Sequence, residues 1–282
     1  MTEPAIERKY ITSADGQTIY YETSIVQEST APTTVLVHGI GGDVDGWQFV
    51  RDILLQEGFS VVALDVRGHG YSSHPRRAKH YKMELLLEDV VHVIDAENLD
   101  TVILVGHSGG AVIALNFALE YPERLSDLIL LAGSYRAPAY MRSAFTKRIA
   151  DIIVTVGALV SPPHPGPWHS TYVEGKFAHD YEPWGLMRTI FRNTLHSYLL
   201  IGREIFNVEL EDRLKEVAMP TLIVAGENDS IYPLSIPKKM HELIPDSELK
   251  IIPGANHVLI HNNVDATAGH IVRFVRGLHA PG

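Results

Sequence analysis

Apolar residues along this chain gather in short unbroken runs, and stretches with a different spacing lie between them. Val35-Leu36-Val37 is the first run, followed by Phe59 to Leu64, Val102 to Val105, Leu128 to Leu131, Thr221 to Val224 and Leu249 to Ile252. Runs of this length, rich in Val and Ile, suit parallel strands covered on both faces. Between them, apolar residues recur at three- and four-residue intervals. Met83, Leu86, Leu87, Val90, Val91 and Ile94 form one such series, and Ala111, Ala114, Leu115, Ala118 and Leu119 a second, with Pro122 just beyond it. Val264, Ala268, Ile271, Val275 and Leu278 form a third. Each series predicts a helix with one apolar stripe. Ile6 to Val26 instead predicts a hairpin turning at Ala14-Asp15-Gly16. Strand and helix in alternation predict an α/β fold with a mostly parallel central sheet and helices on both faces.

The alternation breaks once. From Ser134 to about Glu216 there is no strand signal, only two helical series: Met141, Phe145, Ile149 and Ile152, then Trp184, Met187, Phe191, Leu195 and Tyr198. Ser161-Pro162-Pro163-His164-Pro165-Gly166-Pro167-Trp168 between them must be a loop. The expected organisation is a core of residues 1–134 and 217–282, with 135–216 inserted as a helical cap over the carboxyl edge of the sheet.

Composition narrows the partners. The net charge of −10 disfavours nucleic acid and anionic membranes, which need clustered Lys and Arg. There is no cysteine, so disulfides, thiolate metal sites and a Cys nucleophile are excluded. The first residues, Met1 to Arg8, lack the apolar core of a signal peptide, and no apolar run reaches the roughly 20 residues of a membrane span. The expectation is a soluble cytoplasmic protein; the sequence leaves oligomeric state open. Fifteen histidines invite a metal site, yet there is no His-Glu-x-x-His, and His257 with His261 has no carboxylate in register. Gly39-Ile40-Gly41-Gly42 lacks the third glycine of a dinucleotide turn, and no Gly-Lys-Ser or Gly-Lys-Thr is present. No cofactor and no metal are expected.

The chemistry centres on Gly106-His107-Ser108-Gly109-Gly110, which lies between a predicted strand and a predicted helix. A strand-to-helix turn is the setting that a nucleophile elbow requires, and side chains at the flanking positions would clash with strand and helix. Three further segments end predicted strands, where ligands of parallel sheets gather. His38-Gly39-Ile40 can aim the Ile40 N–H at a developing oxyanion, with the Gly109 N–H as second donor. Asp229 follows Thr221 to Val224, and His257 follows Leu249 to Ile252. The order Ser108, Asp229, His257 fits a nucleophile, an orienting carboxylate and a general base.

On these segments, together with Asp65-Val66-Arg67-Gly68-His69-Gly70-Tyr71-Ser72, the chain resembles the α/β-hydrolase superfamily over essentially its whole length apart from the cap. The resemblance implies a cofactor-free serine hydrolase of carboxylic esters, with a small-molecule ester and water as its partners. Ser108 in place of Asp argues against look-alike epoxide hydrolases and haloalkane dehalogenases. Carbon–carbon bond hydrolases of the meta-cleavage type, lactonases and perhydrolases keep the triad; perhydrolases often carry Trp where Ile40 stands. Some plant hormone receptors keep it too, so a ligand sensor is the non-enzyme alternative. His107 either touches the acyl site or packs under the elbow. Trp168, Trp184, Phe191 and Tyr198 either line a substrate pocket or form the interior of the cap. For Asp65 and Arg67 the expected role is to shape a loop.

Overall fold

The structure is a computed structural model and describes residues 4–27, 29, 31–137, 143–161 and 194–279. Eight strands form one sheet: β1 (Glu7–Thr12), β2 (Thr18–Ser24), β3 (Thr34–Val37), β4 (Val61–Leu64), β5 (Val102–His107), β6 (Leu125–Leu131), β7 (Thr221–Gly226) and β8 (Ser247–Ile252). Their spatial order is β1-β2-β4-β3-β5-β6-β7-β8. β1 and β2 are antiparallel, β2 joins β4 antiparallel, and every other pair is parallel. The hairpin turns where the sequence places it. Gly16 takes φ +81°, and the Gln17 N–H donates to Asp15 Oδ1.

The helices are α1 (Gln48–Gln56), α2 (Met83–Ala96), α3 (Gly109–Glu120), α4 (Ala144–Val160), α5 (Leu195–Phe206), α6 (Ser235–Leu243), α7 (Leu259–Asn262) and α8 (Val264–His279). They cover both faces of the sheet, which explains the unbroken strand runs. Val35 and Val37 enter one core with residues of α2, α3 and α5, while Leu36 enters the other with residues of α1 and α8. Successive strand residues point to opposite faces, so a strand between two helical layers must be apolar throughout.

Two expectations change at the margins. β8 is an edge strand in which only Ile252 is buried; Leu249 is half-buried and Ile251 is exposed. On α8, Val264, Ala268, Ile271 and Val275 are buried as expected, but Leu278 in the last turn is exposed. Between β6 and β7 the described residues contribute α4 and α5, which pack on each other, and one isolated bridge, Arg136 to Glu209. α4 is capped by Ser143, whose side chain accepts the Thr146 N–H. α5 begins at Leu195, capped by Thr194. The earlier part of that helical series, Trp184 to Phe191, lies outside the described residues. No helix among the described residues is long and apolar enough to cross a membrane.

β3 is the pivot of the sheet. The chain leaves it to form β4 on one side and later returns to form β5 on the other. The crevice beyond the carboxyl ends of β3 and β5 is therefore a topological switch point, the place where parallel sheets bind ligands.

Candidate active site

Ser108 ends β5 and begins α3 in a backbone conformation that few side chains tolerate, φ +53° and ψ −117°. Such strain costs on the order of 1–3 kcal/mol and needs tight surroundings to persist. Those surroundings are visible. The Ser108 N–H donates to the Leu131 carbonyl at 2.9 Å, tying the turn to β6. A Cβ on Gly106 would lie 2.3 Å from the Gly110 carbonyl oxygen. A Cβ on Gly110 would lie 2.1 Å from the Val37 oxygen of β3. The two glycines let helix and strand close on the turn, which pushes the Ser108 side chain out at the crevice.

Asp229 and His257 come from the loops after β7 and β8, at the same edge of the sheet. The Ser108 hydroxyl donates to His257 Nε2 at 2.7 Å, and His257 Nδ1–H donates to Asp229 Oδ2 at 2.8 Å. The other carboxylate oxygen, Oδ1, accepts the N–H groups of Ile231 and Tyr232, each at 2.8 Å. Asp229 and His257 are buried, while Ser108 is partly open. The Tyr232 ring meets the His257 ring edge-on, with centroids 5.7 Å apart. Nothing in the sequence singles out Tyr232; its contact follows from the turn that Asp229 caps.

His107 lies beneath this chain of bonds. Its Nε2–H donates to the His257 carbonyl at 3.1 Å, and its ring packs edge-on against buried Trp47. Burial, reinforced by His257 nearby, pushes His107 down to about 3, so the ring stays neutral at physiological pH. These contacts are those of packing under the elbow.

The loop after β3 presses on the elbow. A Cβ on Gly39 would touch Ser108 Cβ at 3.0 Å, and one on Gly109 would come within 3.2 Å of the Ile40 nitrogen. The Ile40 and Gly109 amides thus flank the serine, and Gly109 opens α3, where the helix dipole favours negative charge. A narrow apolar gap adjoins them, walled by Val66 and Ile113 and, from α5, by Ile201 and Ile205. The arrangement can activate a hydroxyl by removing its proton and can place two N–H donors at the oxygen of an attacked carbonyl.

Of the remaining sequence candidates, Tyr198, Asp65 and Arg67 are described. Tyr198 lines a cavity of about 220 Å³ between α4 and α5, with no Ser108, Asp229 or His257 among its described walls. Trp168, Trp184 and Phe191 lie outside the described residues. Asp65 and Arg67 hold loops. Asp65 accepts the N–H groups of Val44 and Tyr71, while fully buried Arg67 pairs with Asp89 and Asp15 and donates to the His80 carbonyl. Among the described residues, no cluster of three or more His, Asp or Glu is placed to hold a metal ion.

Comparison with known proteins gives the same picture of the fold. The family model described as "Serine aminopeptidase, S33" matches residues 28–264. A Bacillus subtilis (strain 168) protein named "Putative 2-succinyl-6-hydroxy-2,4-cyclohexadiene-1-carboxylate synthase" is 27% identical over 274 residues, 93% of this chain and 96% of its own. An esterase from Exiguobacterium antarcticum superposes with a TM-score of 0.73 at 23% identity, covering 96% of this chain and 100% of its own. The enol-lactonase from Burkholderia xenovorans LB400 superposes with a TM-score of 0.72 at 19% identity, covering 95% and 99%.

Proposed function

Because this chain belongs to the α/β-hydrolase superfamily, in its serine aminopeptidase S33 family, we propose that it hydrolyses carboxylic esters through an acyl-enzyme on Ser108. One observation carries the reading: the unbroken path from Ser108 Oγ through His257 to Asp229, at 2.7 and 2.8 Å, beside the Ile40 and Gly109 amides. A serine hydroxyl is a weak nucleophile at neutral pH. His257 Nε2 takes its proton as Oγ bonds to the ester carbon. The carbonyl oxygen gains negative charge and lies against the two amides; each such donor contributes about 3 kcal/mol to the transition state. His257 then gives the proton to the departing alcohol. Water, deprotonated by the same imidazole, attacks the acyl-enzyme and frees the acid. Asp229 keeps the imidazole proton on Nδ1 and balances the charge that His257 acquires.

The described organisation supports a second part of the reading. We read residues 135–216 as a cap; of its described part, the α5 residues Ile201 and Ile205 pack, buried, beside the Ile40 loop. The aromatic and aliphatic series of that segment support an apolar acyl or alcohol group in the substrate.

The test is a panel of p-nitrophenyl esters of graded chain length, with small lactones and aminoacyl anilides beside them, on the native chain and Ser108→Ala. Ester turnover that falls by about four orders of magnitude in the variant is expected. Turnover of anilides or lactones alone would move the substrate class, and equal rates in both proteins would remove Ser108 from the chemistry.

A further inference from the structure

Two buried imidazoles cross-brace the loop after β3 and the loop after β4, each reaching into the other's backbone. His38 Nε2 accepts the Val66 N–H at 3.0 Å, and His69 Nε2 accepts the Gly41 N–H at 2.9 Å. A backbone amide only donates, so both Nε2 atoms carry a lone pair and both rings bear their proton on Nδ1. His38 Nδ1–H then donates to the Gly39 carbonyl at 2.8 Å, and His69 Nδ1 faces the Arg67 carbonyl at 3.4 Å. The rings meet edge-on at 5.0 Å and are almost wholly buried. Asp65 adds a third crossing by accepting the Val44 N–H at 2.8 Å.

These bonds bracket Ile40. A peptide group is planar, so holding its carbonyl also fixes the direction of its N–H. The Gly39 carbonyl shares a plane with the Ile40 N–H, and His38 holds it. The next plane joins Ile40 to Gly41, and His69 holds that one by the Gly41 N–H. Both planes that meet at Ile40 are thus tied to imidazoles, and the second tie comes from a loop that contributes nothing to the Ser108–His257–Asp229 chain.

Resting on the ester-hydrolase reading above, we propose that His69 is a positioning residue: by accepting the Gly41 N–H as a neutral imidazole it anchors the Ile40–Gly41 plane and so steadies the adjoining plane whose Ile40 N–H faces the oxyanion. The amide is needed where charge develops in the transition state, so the loss falls on kcat and leaves ground-state binding nearly untouched.

Three variants separate this from simple packing. In His69→Gln the amide oxygen lies where Nε2 was and still accepts the Gly41 N–H. In His69→Asn it lies one carbon short, at the Nδ1 position, and in His69→Leu the acceptor is gone. On a p-nitrophenyl ester, Gln is expected within about threefold of the native kcat, and Asn and Leu are expected to lose roughly 10- to 100-fold with KM within about threefold, since a 1 Å misplacement can cost that much. Amide hydrogen exchange at Gly41 reads the brace independently of turnover: slow in native and Gln proteins, faster in Asn and Leu. Should the Leu protein fail to fold, the Gln–Asn contrast carries the test. Equal kcat in Gln and Asn proteins, or fast exchange at Gly41 with native kcat, would overturn the proposal alone. Native and Ser108→Ala proteins that turn over the ester equally would overturn the ester-hydrolase reading first, and this proposal with it.

Discussion

Replacing Asp229 by Asn removes one charge and almost no volume, so its effect can be worked from the bonds the carboxylate makes. Oδ1 accepts two backbone N–H groups and Oδ2 accepts one imidazole N–H, all at 2.8 Å. Asn has one acceptor oxygen and one donor NH2. If the oxygen faces His257, the NH2 meets the Ile231 and Tyr232 amides, donor against donor. If the oxygen turns to those amides, the NH2 faces Nδ1, which must then give up its proton. The second arrangement keeps three hydrogen bonds against one; the two extra are together worth about 1.5–3 kcal/mol, and this arrangement holds roughly nine molecules in ten or more. In that state His257 carries its proton on Nε2, points it at Ser108, and cannot act as base. The remaining molecules lack the anion beside the imidazolium that forms during reaction. A charge pair about 4 Å apart at an effective dielectric near 20 is worth ~4 kcal/mol, or about 10³-fold in rate. Together the two losses give roughly 10⁴-fold in kcat, with little change in KM or thermal stability. Steady-state hydrolysis of a p-nitrophenyl ester measures it, with a thermal melt as the check on folding. A well-folded Asp229→Asn protein that kept more than a tenth of native kcat would refute the role given to this carboxylate.

Three other perturbations test the frame around the site. Arg67→Met leaves Asp89 buried without its cation, with only the Ser13 hydroxyl still donating to it. This costs about 3–5 kcal/mol, and for a chain of this size, with an unfolding entropy of about 0.6 kcal/mol per degree, the melting midpoint falls by roughly 5–8 °C. The folded variant should keep native kcat at 25 °C; a large drop in kcat with an unchanged midpoint would give Arg67 a part in the reaction. Gly110→Ala drives a Cβ to 2.1 Å from the Val37 oxygen and 2.6 Å from the His38 oxygen, both backbone atoms. The expected result is a cost of about 1–3 kcal/mol or more in stability, and about 100-fold in kcat because the Ile40 loop is displaced. Native kinetics in this variant would contradict the packing of the elbow. Acid should destabilise the fold before its carboxylates protonate. Burial holds His107 at about 3 and His261 at about 4, and it holds His69 well below the ordinary histidine range. Each takes up a proton in the unfolded chain below about pH 6.5 but not in the folded one. Stability therefore falls as pH drops from 6.5 toward 4, by about 1.4 kcal/mol per pH unit for each group. Melting curves between pH 7 and 4.5 would show it, and a midpoint independent of pH over that range would contradict it.

Much of this arrangement is legible in the sequence because each site residue follows an apolar run. Ser108, Asp229, His257 and Ile40 all stand just past a predicted strand, and parallel strands bring those positions to one edge whatever the loops between them do. The runs are readable because β3 to β7 lie between two helical layers and bury both faces. Where one face is open the signal fades. β8 is partly exposed, and α1 and α6 are nine-residue helices, about two and a half turns, too short for a long apolar repeat. α6 also carries Pro237 in its first turn, where proline is tolerated but reads as a break. The cross-brace was not legible at all. His38 and His69 are separated by 31 positions, and only the direction of two backbone N–H groups reveals which nitrogen of each ring is occupied. The same holds for His107, whose two possible roles differ only in where Nε2 points.

The claim that everything else depends on is a covalent bond at Ser108. Mixing the protein rapidly with p-nitrophenyl acetate, quenching in acid within the first turnover and mapping the acetyl group by peptide mass spectrometry tests it directly. The account predicts a burst of p-nitrophenol stoichiometric with protein, with the acetyl group on the Ser108 peptide and no adduct there in Ser108→Ala. Turnover at the native rate in Ser108→Ala, or an acetyl group carried only by another residue, would contradict it.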